Sequence, residues 1–446
     1  MQTQNQQALR RRITRPLIAS LAAAASCAAW ADEPSPYYLG VTQAFTHDSN
    51  VTGTVEGPSD TYSSTGLTAG FDQPIGRQRV HASANVHYNK YRSLTELDNT
   101  SYGVTAGWDW ATIERLSGNV SASANQGLAS QGTTAGLVNT TSERNLVKTD
   151  QISTSVQWGG SIVGLRGAYA HSRVRYSAPS YFVAESSGDS GSGGIFYRLG
   201  PDIKLGADVR LTRTVSPHAV FAPAAGLNPA DPNVIADPAN YSPNTATGRN
   251  FDLTADWGVT AQSGVNARLS WTRQSNSTVA GNLDFSGLTG SLGVRYAPTG
   301  KLTFGASVNR DAGTNSSFFN VPPTTSTGSN TSTTSSTGTM GLAQNTQTTN
   351  SYSLTAGYAA TAKISVVASA DRARAKVVNT AVIDGATVVT DGTDASHSYA
   401  IGVDYNAARN WRLGCKASHM SRILTSATST AYSNDSVGCS AQFTLR

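Results

Sequence analysis

The residues of this chain that could do chemistry fall into four groups. Gly188, Asp189, Ser190, Gly191, Ser192, Gly193 and Gly194 run together much like the loop around a serine-protease nucleophile. That chemistry needs a histidine to take the hydroxyl proton, an acid to orient it, and N–H donors for the oxyanion. Ser192 interrupts the match and no histidine has a supporting local motif, so the run reads as a loop leading into a strand that ends at Tyr197. His81 and His87 share the polar face of one strand. At ~3.3 Å per residue their Cα atoms would be about 20 Å apart, too far to share a metal ion. No phosphate-cradling glycine loop, CxxC pair or HExxH segment is present. The sequence therefore gives no reason to expect an enzyme, a metal or a cofactor. The remaining groups, two cysteines and a scatter of charges, acquire meaning only from the elements that carry them.

Those elements are strands. In residues 285–310, Leu288, Gly290, Leu292, Val294 and Tyr296 alternate with Thr289, Ser291, Gly293 and Arg295. After Ala297, Pro298, Thr299 and Gly300, which read as a tight turn, Leu302, Phe304, Ala306 and Val308 alternate with Thr303, Gly305, Ser307 and Asn309. A period of two places each set on a single face, one oily and one small and polar. From Tyr37 onward this hairpin recurs, with connectors that alternate between short (around Gly76, Gly200 and Lys363) and long (residues 127–147, 216–248 and 313–348). About eighteen strands running up and down between two unlike sides is the signature of an outer-membrane barrel.

The aromatic residues agree. Phe71, Trp108, Trp158, Trp257, Tyr358 and Tyr405 precede short turns on the oily parity, whereas Tyr91, Tyr102, Phe251, Trp271, Tyr352 and Tyr399 lie near long loops. Two aromatic bands around an aliphatic middle are what the two membrane interfaces favour. A soluble sandwich would place its aromatics in strand centres, a propeller would need four short strands per repeat, and a solenoid would need regular rungs. The expected fold is an all-β, up-and-down antiparallel transmembrane barrel of about eighteen strands, with short periplasmic turns and long extracellular loops.

Composition is consistent with this. Charged residues are only 14% and Gly numbers 42, which excludes a charged coiled coil and an acidic disordered chain. The net charge of +5 is misleading, because Arg10, Arg11, Arg12 and Arg15 contribute four of those charges near the N-terminus. No basic patch with interleaved aromatics follows, so nucleic acid is not an expected partner. The arginine-rich start, an apolar run over residues 17–29 and the Ala29-Trp30-Ala31 site read as a secretory signal over residues 1–31, with the barrel over 32–446. Cys27 follows a poor lipobox, so simple cleavage is expected and only Cys415 and Cys439 remain. They are equidistant from Ala427 on the last two strands and share lipid-facing parity. They are either a cross-strand disulfide or two small apolar thiols facing lipid.

The polar faces carry the functional content. Asp109, Lys204, Asp208, Arg210, Asp252, Asp256, Arg268, Arg295, Asn309, Asp371 and Asp404 are the candidate lumen-lining residues. Both signs are interspersed with Gly, Ser and Thr, as expected for a wide, wet, weakly ion-selective channel. Roughly half of these charges are expected to pair across strands and hold the wall.

Several segments carry a family resemblance: 35–51 (SPYYLGVTQAFTHDSNV), 60–80, 99–121, 266–273, 284–304 and the closing NWRLGCKAS and GCSAQFTL. The chain resembles the EpsL-like outer-membrane β-barrel porins of proteobacterial exopolysaccharide operons over nearly its whole mature length. The resemblance implies outer-membrane localisation in a Gram-negative bacterium and a part in exporting or assembling an extracellular polysaccharide. It implies as partners the other proteins of that pathway, the barrel assembly machinery, and outer-membrane lipid and lipopolysaccharide. It transfers no catalytic residues. The chain ends Phe443-Thr444-Leu445-Arg446 rather than on an aromatic, which places the assembly signal at Phe443. Two other functions fit the same barrel. One is a general or sugar-selective diffusion porin, and the other is a non-conducting surface anchor or adhesin acting through the long loops.

Overall fold

A computed structural model describes residues 35–129, 144–228, 231–277, 284–321, 339–383, 386–424 and 431–445. The signal segment at residues 1–31 and the centre of the 313–348 tract lie outside these residues. The strands are β1 (Tyr37–Asp48), β2 (Asp60–Ile75), β3 (Gln78–Tyr91), β4 (Asn99–Ala111), β5 (Leu116–Leu128), β6 (Leu146–Gly159), β7 (Val163–Tyr176), β8 (Ser186–Arg198) and β9 (Ile203–Phe221). They continue as β10 (Tyr241–Thr260), β11 (Ser263–Asn276), β12 (Phe285–Thr299), β13 (Leu302–Val321), β14 (Thr339–Ala359), β15 (Ile364–Ile383), β16 (Ala386–Ala408), β17 (Trp411–Leu424) and β18 (Tyr432–Leu445). Each pairs antiparallel with the next, and β18 returns to β1, so the eighteen-stranded sheet closes on itself. Closure satisfies the backbone hydrogen bonds of the would-be edge strands, as a barrel in lipid requires.

The parity of the sequence becomes an inside and an outside. Leu39, Leu67, Leu253, Leu354 and Ile401 are all exposed on the outer wall, Leu354 at 58%. The residues between them (Gly40, Thr68, Thr254, Ser353 and Gly402) face the interior. This inverts a water-soluble protein, in which apolar residues of that size would be covered. Buried apolar side chains among the described residues are few, and Leu97, Tyr181 and Val183 belong to connectors on the long-loop side.

Local chemistry explains several departures from the sequence reading. The hairpin of β12 and β13 turns at Gly300 and Lys301, not at 297–300. Between the pairs Tyr296–Phe304 and Thr299–Leu302 the register shifts, and Ala297 and Pro298 form a bulge. A bulge suits proline, which has no N–H for the ladder. The Thr299 hydroxyl accepts from the N–H groups of Lys301 (3.3 Å) and Leu302 (3.1 Å) and closes the turn. The glycine–serine run at 188–194 is not a loop but the body of β8. Tyr91 is not in the outer aromatic band. It shares the inward parity of His81 and His87 and stacks on Tyr62 with ring centroids 5.0 Å apart. The long hairpins also extend further than expected, since β9 runs to Phe221 and β13 to Val321.

Cys415 and Cys439 are register partners with Cα atoms 4.1 Å apart, and the structure joins their sulfurs. Their neighbours across the sheet, Val403 and Phe45, are exposed on the outer wall, so the bridge faces lipid beside the β1–β18 seam. We expect unreduced protein treated with an alkylating reagent under denaturing conditions to show neither cysteine modified. Alkylation of both by mass spectrometry would mean that the thiols are free.

Candidate channel lining and mouth

The eleven candidate residues all lie on the inward parity of their strands, but they do not form a single site. Asp109 lies 3.8 Å from His81 at the short-turn end of β3 and β4, and contributes to a recess of about 530 Å³ with Arg79, Asn119 and Gln157. Asp404 accepts from Arg412 at 3.1 Å, and Asp371 accepts from Ser398 at 3.4 Å. On the β12–β13 wall Asn309 is the register partner of Ser291 and Arg295 that of Gly305, and Arg295 has no ion pair among the described residues. The remaining six stand on the wall formed by β9, β10 and β11.

On that wall the charges are locked in place. Arg166 on β7, absent from the candidates read from sequence, reaches over β8 to donate to both carboxylate oxygens of Asp208 on β9. It also donates to the Thr254 hydroxyl on β10 at 2.7 Å. Two glycines make this reach possible. A Cβ on Gly194 would lie 2.2 Å from the Asp208 carboxylate, and one on Gly206 would lie 2.3 Å from the Arg166 guanidinium. Gly194 and Gly206 are therefore clearance for an arginine and its carboxylate. Arg210 donates to Asp252 at 2.9 Å, and Arg268 reaches across β12 to Asp311 at 3.4 Å. Lys204 donates to Gln157 at 3.1 Å and sits 4.2 Å from the Phe196 ring centroid, with Asp256 as its register partner. Bidentate arginine–carboxylate contacts of this kind fix geometry as well as charge.

The opposite wall, β16 through β2, is different. Gly402, Gly414, Ser418, Ser436, Gly438 and Ser440 line a shallow recess of about 620 Å³, with Asp404 and Lys416 as its charged members. The β16–β17 part of that wall also carries the ion pairs Arg412–Asp404 and Arg422–Asp394, so paired charges occur on both sides of the lumen. Sequence parity identifies the inward residues. It does not identify Arg166, Asp311 or Arg412 as partners, because each contact joins residues assigned to each other only by strand register.

The long-loop end is narrowed. A 3-10 turn, Pro179–Ala184, follows β7 and packs against β7, β9 and β13. Within it Tyr181 is 3% exposed, and Phe182 meets His218 and Tyr241 edge-on at 5.2 and 4.9 Å. Asn145 accepts from the N–H of Ala178 at 3.1 Å, and Glu185 accepts from the N–H of Tyr176 at 3.3 Å, so both ends of the turn are tied down. β9 and β14 also approach within 8 Å, although they are five positions apart in the sheet. In an open cylinder of eighteen strands spaced ~4.8 Å apart, strands five apart would be separated by roughly 20–27 Å. The barrel therefore leans inward over its own mouth in this sector.

A closed sheet with an apolar outside, aromatic residues at both ends of the wall and a polar inside is a membrane-spanning barrel. With short turns on one side and long connectors on the other, the chain is an integral protein of the Gram-negative outer membrane. No protein-family model matches the sequence, and no curated protein does. Among solved structures, a mutant of the ferric enterobactin receptor PfeA from Pseudomonas aeruginosa is similar at 8% identity, with 92% of this chain and 81% of that one covered and a TM-score of 0.45. The siderophore receptor PirA from Acinetobacter baumannii is similar at 9% identity, covering 93% and 81% with a TM-score of 0.43. OpdL from Pseudomonas aeruginosa is similar at 9% identity, covering 92% and 98% with a TM-score of 0.41.

Proposed function

We propose that the barrel is a passive aqueous conduit for a hydrated glycan, serving the export or assembly of an extracellular polysaccharide. The observation that carries this reading is a polar lumen whose charges pair with one another. Charges are compensated in place by Arg166–Asp208 and Arg210–Asp252 on one side and by Arg412–Asp404 and Arg422–Asp394 on the other, so the wall offers hydrogen bonds with little net field. The facing Gly and Ser surface gives a polymer no deep pocket in which to lodge. The resemblance to EpsL-like porins supplies the polysaccharide pathway, and inner-membrane partners of that pathway would supply the energy. A second reading, a general or sugar-selective diffusion porin, is favoured by the inward-folded turn at 179–184, which suits sieving of small solutes better than passage of a chain.

Two measurements on the full-length protein separate these readings. Reconstituted into planar bilayers, it is expected to give stable conductance with weak ion selectivity. A deletion strain is expected to lose its surface polysaccharide. Conductance with unchanged surface polysaccharide would leave the porin reading, and closed recordings from folded protein would sink both.

A further inference from the structure

On β10 through β15 the acids all face the lumen, whereas the bases other than Arg268 and Arg295 face outward. Every acidic residue on these strands (Asp252, Asp256, Asp311 and Asp371) has inward parity. Six bases (Arg249, Arg273, Arg310, Arg372, Arg374 and Lys376) have outward parity and are exposed. None of the six forms an ion pair among the described residues. Parity is secure here: Arg249 continues the outward series of Trp257, Leu253 and Phe251, and Arg310 continues that of Phe304 and Val308. On β15 the outward bases alternate with Ala373 and buried Ala375.

Their height is equally specific. Arg249 and Arg273 each stand two residues to the long-loop side of an outer-band aromatic, Phe251 and Trp271, and they are direct register partners. Arg372 is the register partner of Tyr352 in the same band. Arg310 and Arg374 flank Asn350 from its two sides, so the three form one row across β13, β14 and β15. Residues directly opposite in an antiparallel pair have Cβ atoms ~4.5–5.5 Å apart, and like charges there are unfavourable unless an anion lies between them. The outer aromatic band marks the headgroup level of the leaflet facing the long loops. Anionic headgroups at that level attract surface cations.

We propose that this outward arc is a binding site for the phosphate groups of outer-leaflet glycolipid, with Arg310, Arg372, Arg374 and Lys376 forming its densest part. Asn350 lies between Arg310 and Arg374 and adds a neutral hydrogen-bonding group to the row. The arc lies on the lipid side of the wall, so the inference is independent of what the lumen carries. It gives the barrel a fixed shell of lipid over one sector, the sector in which β9 and β14 lean across the mouth.

The test uses the full-length protein in detergent and purified lipopolysaccharide, with chemically dephosphorylated lipopolysaccharide as the comparison, read by native mass spectrometry and titration. Wild-type protein is expected to retain the phosphorylated lipid and to bind the dephosphorylated form at least about tenfold more weakly. The quadruple variant Arg310→Gln, Arg372→Gln, Arg374→Gln, Lys376→Gln is expected to lose that preference. Its conductance and its heat-modifiable gel mobility should be unchanged. If that variant fails to fold, Arg249→Gln with Arg273→Gln is the second variant and is expected to reduce the preference in part. Inorganic phosphate at millimolar concentration is expected not to displace the lipid, and displacement would overturn assignment to a lipid source. Equal binding of the two lipids by wild type would also overturn the proposal, as would preferential capture of a soluble acidic polysaccharide.

Discussion

Excising the inward turn raises the conductance of the channel. In a variant whose residues 179–184 are replaced by two glycines, the single-channel current at fixed voltage should increase by roughly twofold or more, because current through a water-filled pore follows its narrowest cross-section. The turn packs on β7 and β9 and also meets β13, six strand positions from β7, where β14 likewise approaches β9, so the two sides of the mouth come together at this turn. Its anchors are specific. Phe182 is held edge-on between His218 and Tyr241, and Asn145 and Glu185 fix the backbone at its two ends. Removing six residues from a connector leaves the strand ladder of β7 and β8 intact, so assembly should survive, as a heat-modifiable gel shift would show. A folded variant with wild-type conductance would mean that the constriction lies elsewhere. If the glycan reading is right, the same variant should admit larger neutral polymers in exclusion measurements.

That turn was not legible in the sequence, and the reason is physical. Barrel strands have a period of two, and parity alone places Leu292, Val294 and Phe304 outside and Asp109, Asp252 and Asp404 inside. The cysteines also yield to register, since equal distances from Ala427 make them neighbours. A connector has no period. Nothing local in Pro179 through Ala184 says whether it stands up into the medium or folds across the lumen, because that depends on contacts with β9 and β13. The same limit hid Arg166. Its partner Asp208 is 42 residues away and two strands over, and the signal for the contact is the absence of side chains at Gly194 and Gly206. Read locally, those glycines suggest a flexible loop; read across the sheet, they are the gap through which the guanidinium passes.

Removing Arg166 should accordingly carry a large cost, because it ties three strands together. Arg166→Ala leaves Asp208, whose side chain is 10% exposed, without its cation, and leaves Thr254 without its donor. Breaking a buried pair from one side costs ~3–5 kcal/mol. The Arg166 side chain is itself 25% exposed, so water can enter the gap, and about 2–3 kcal/mol is the better expectation. Urea unfolding of protein refolded into detergent or lipid should show that loss as a lower midpoint. Asp208→Asn should cost less, because an amide oxygen still accepts from the guanidinium and no uncompensated carboxylate is left behind. Replacing both residues with leucine should recover much of the stability, since neither charge then stands alone. Ion selectivity gives a second readout that stability alone would not move. In Arg166→Ala the freed carboxylate of Asp208 joins Asp256 on the lumen wall, and the reversal potential under a salt gradient should shift toward cations. An unchanged reversal potential would place this pair outside the conducting path and leave it a purely structural tie between β7, β9 and β10.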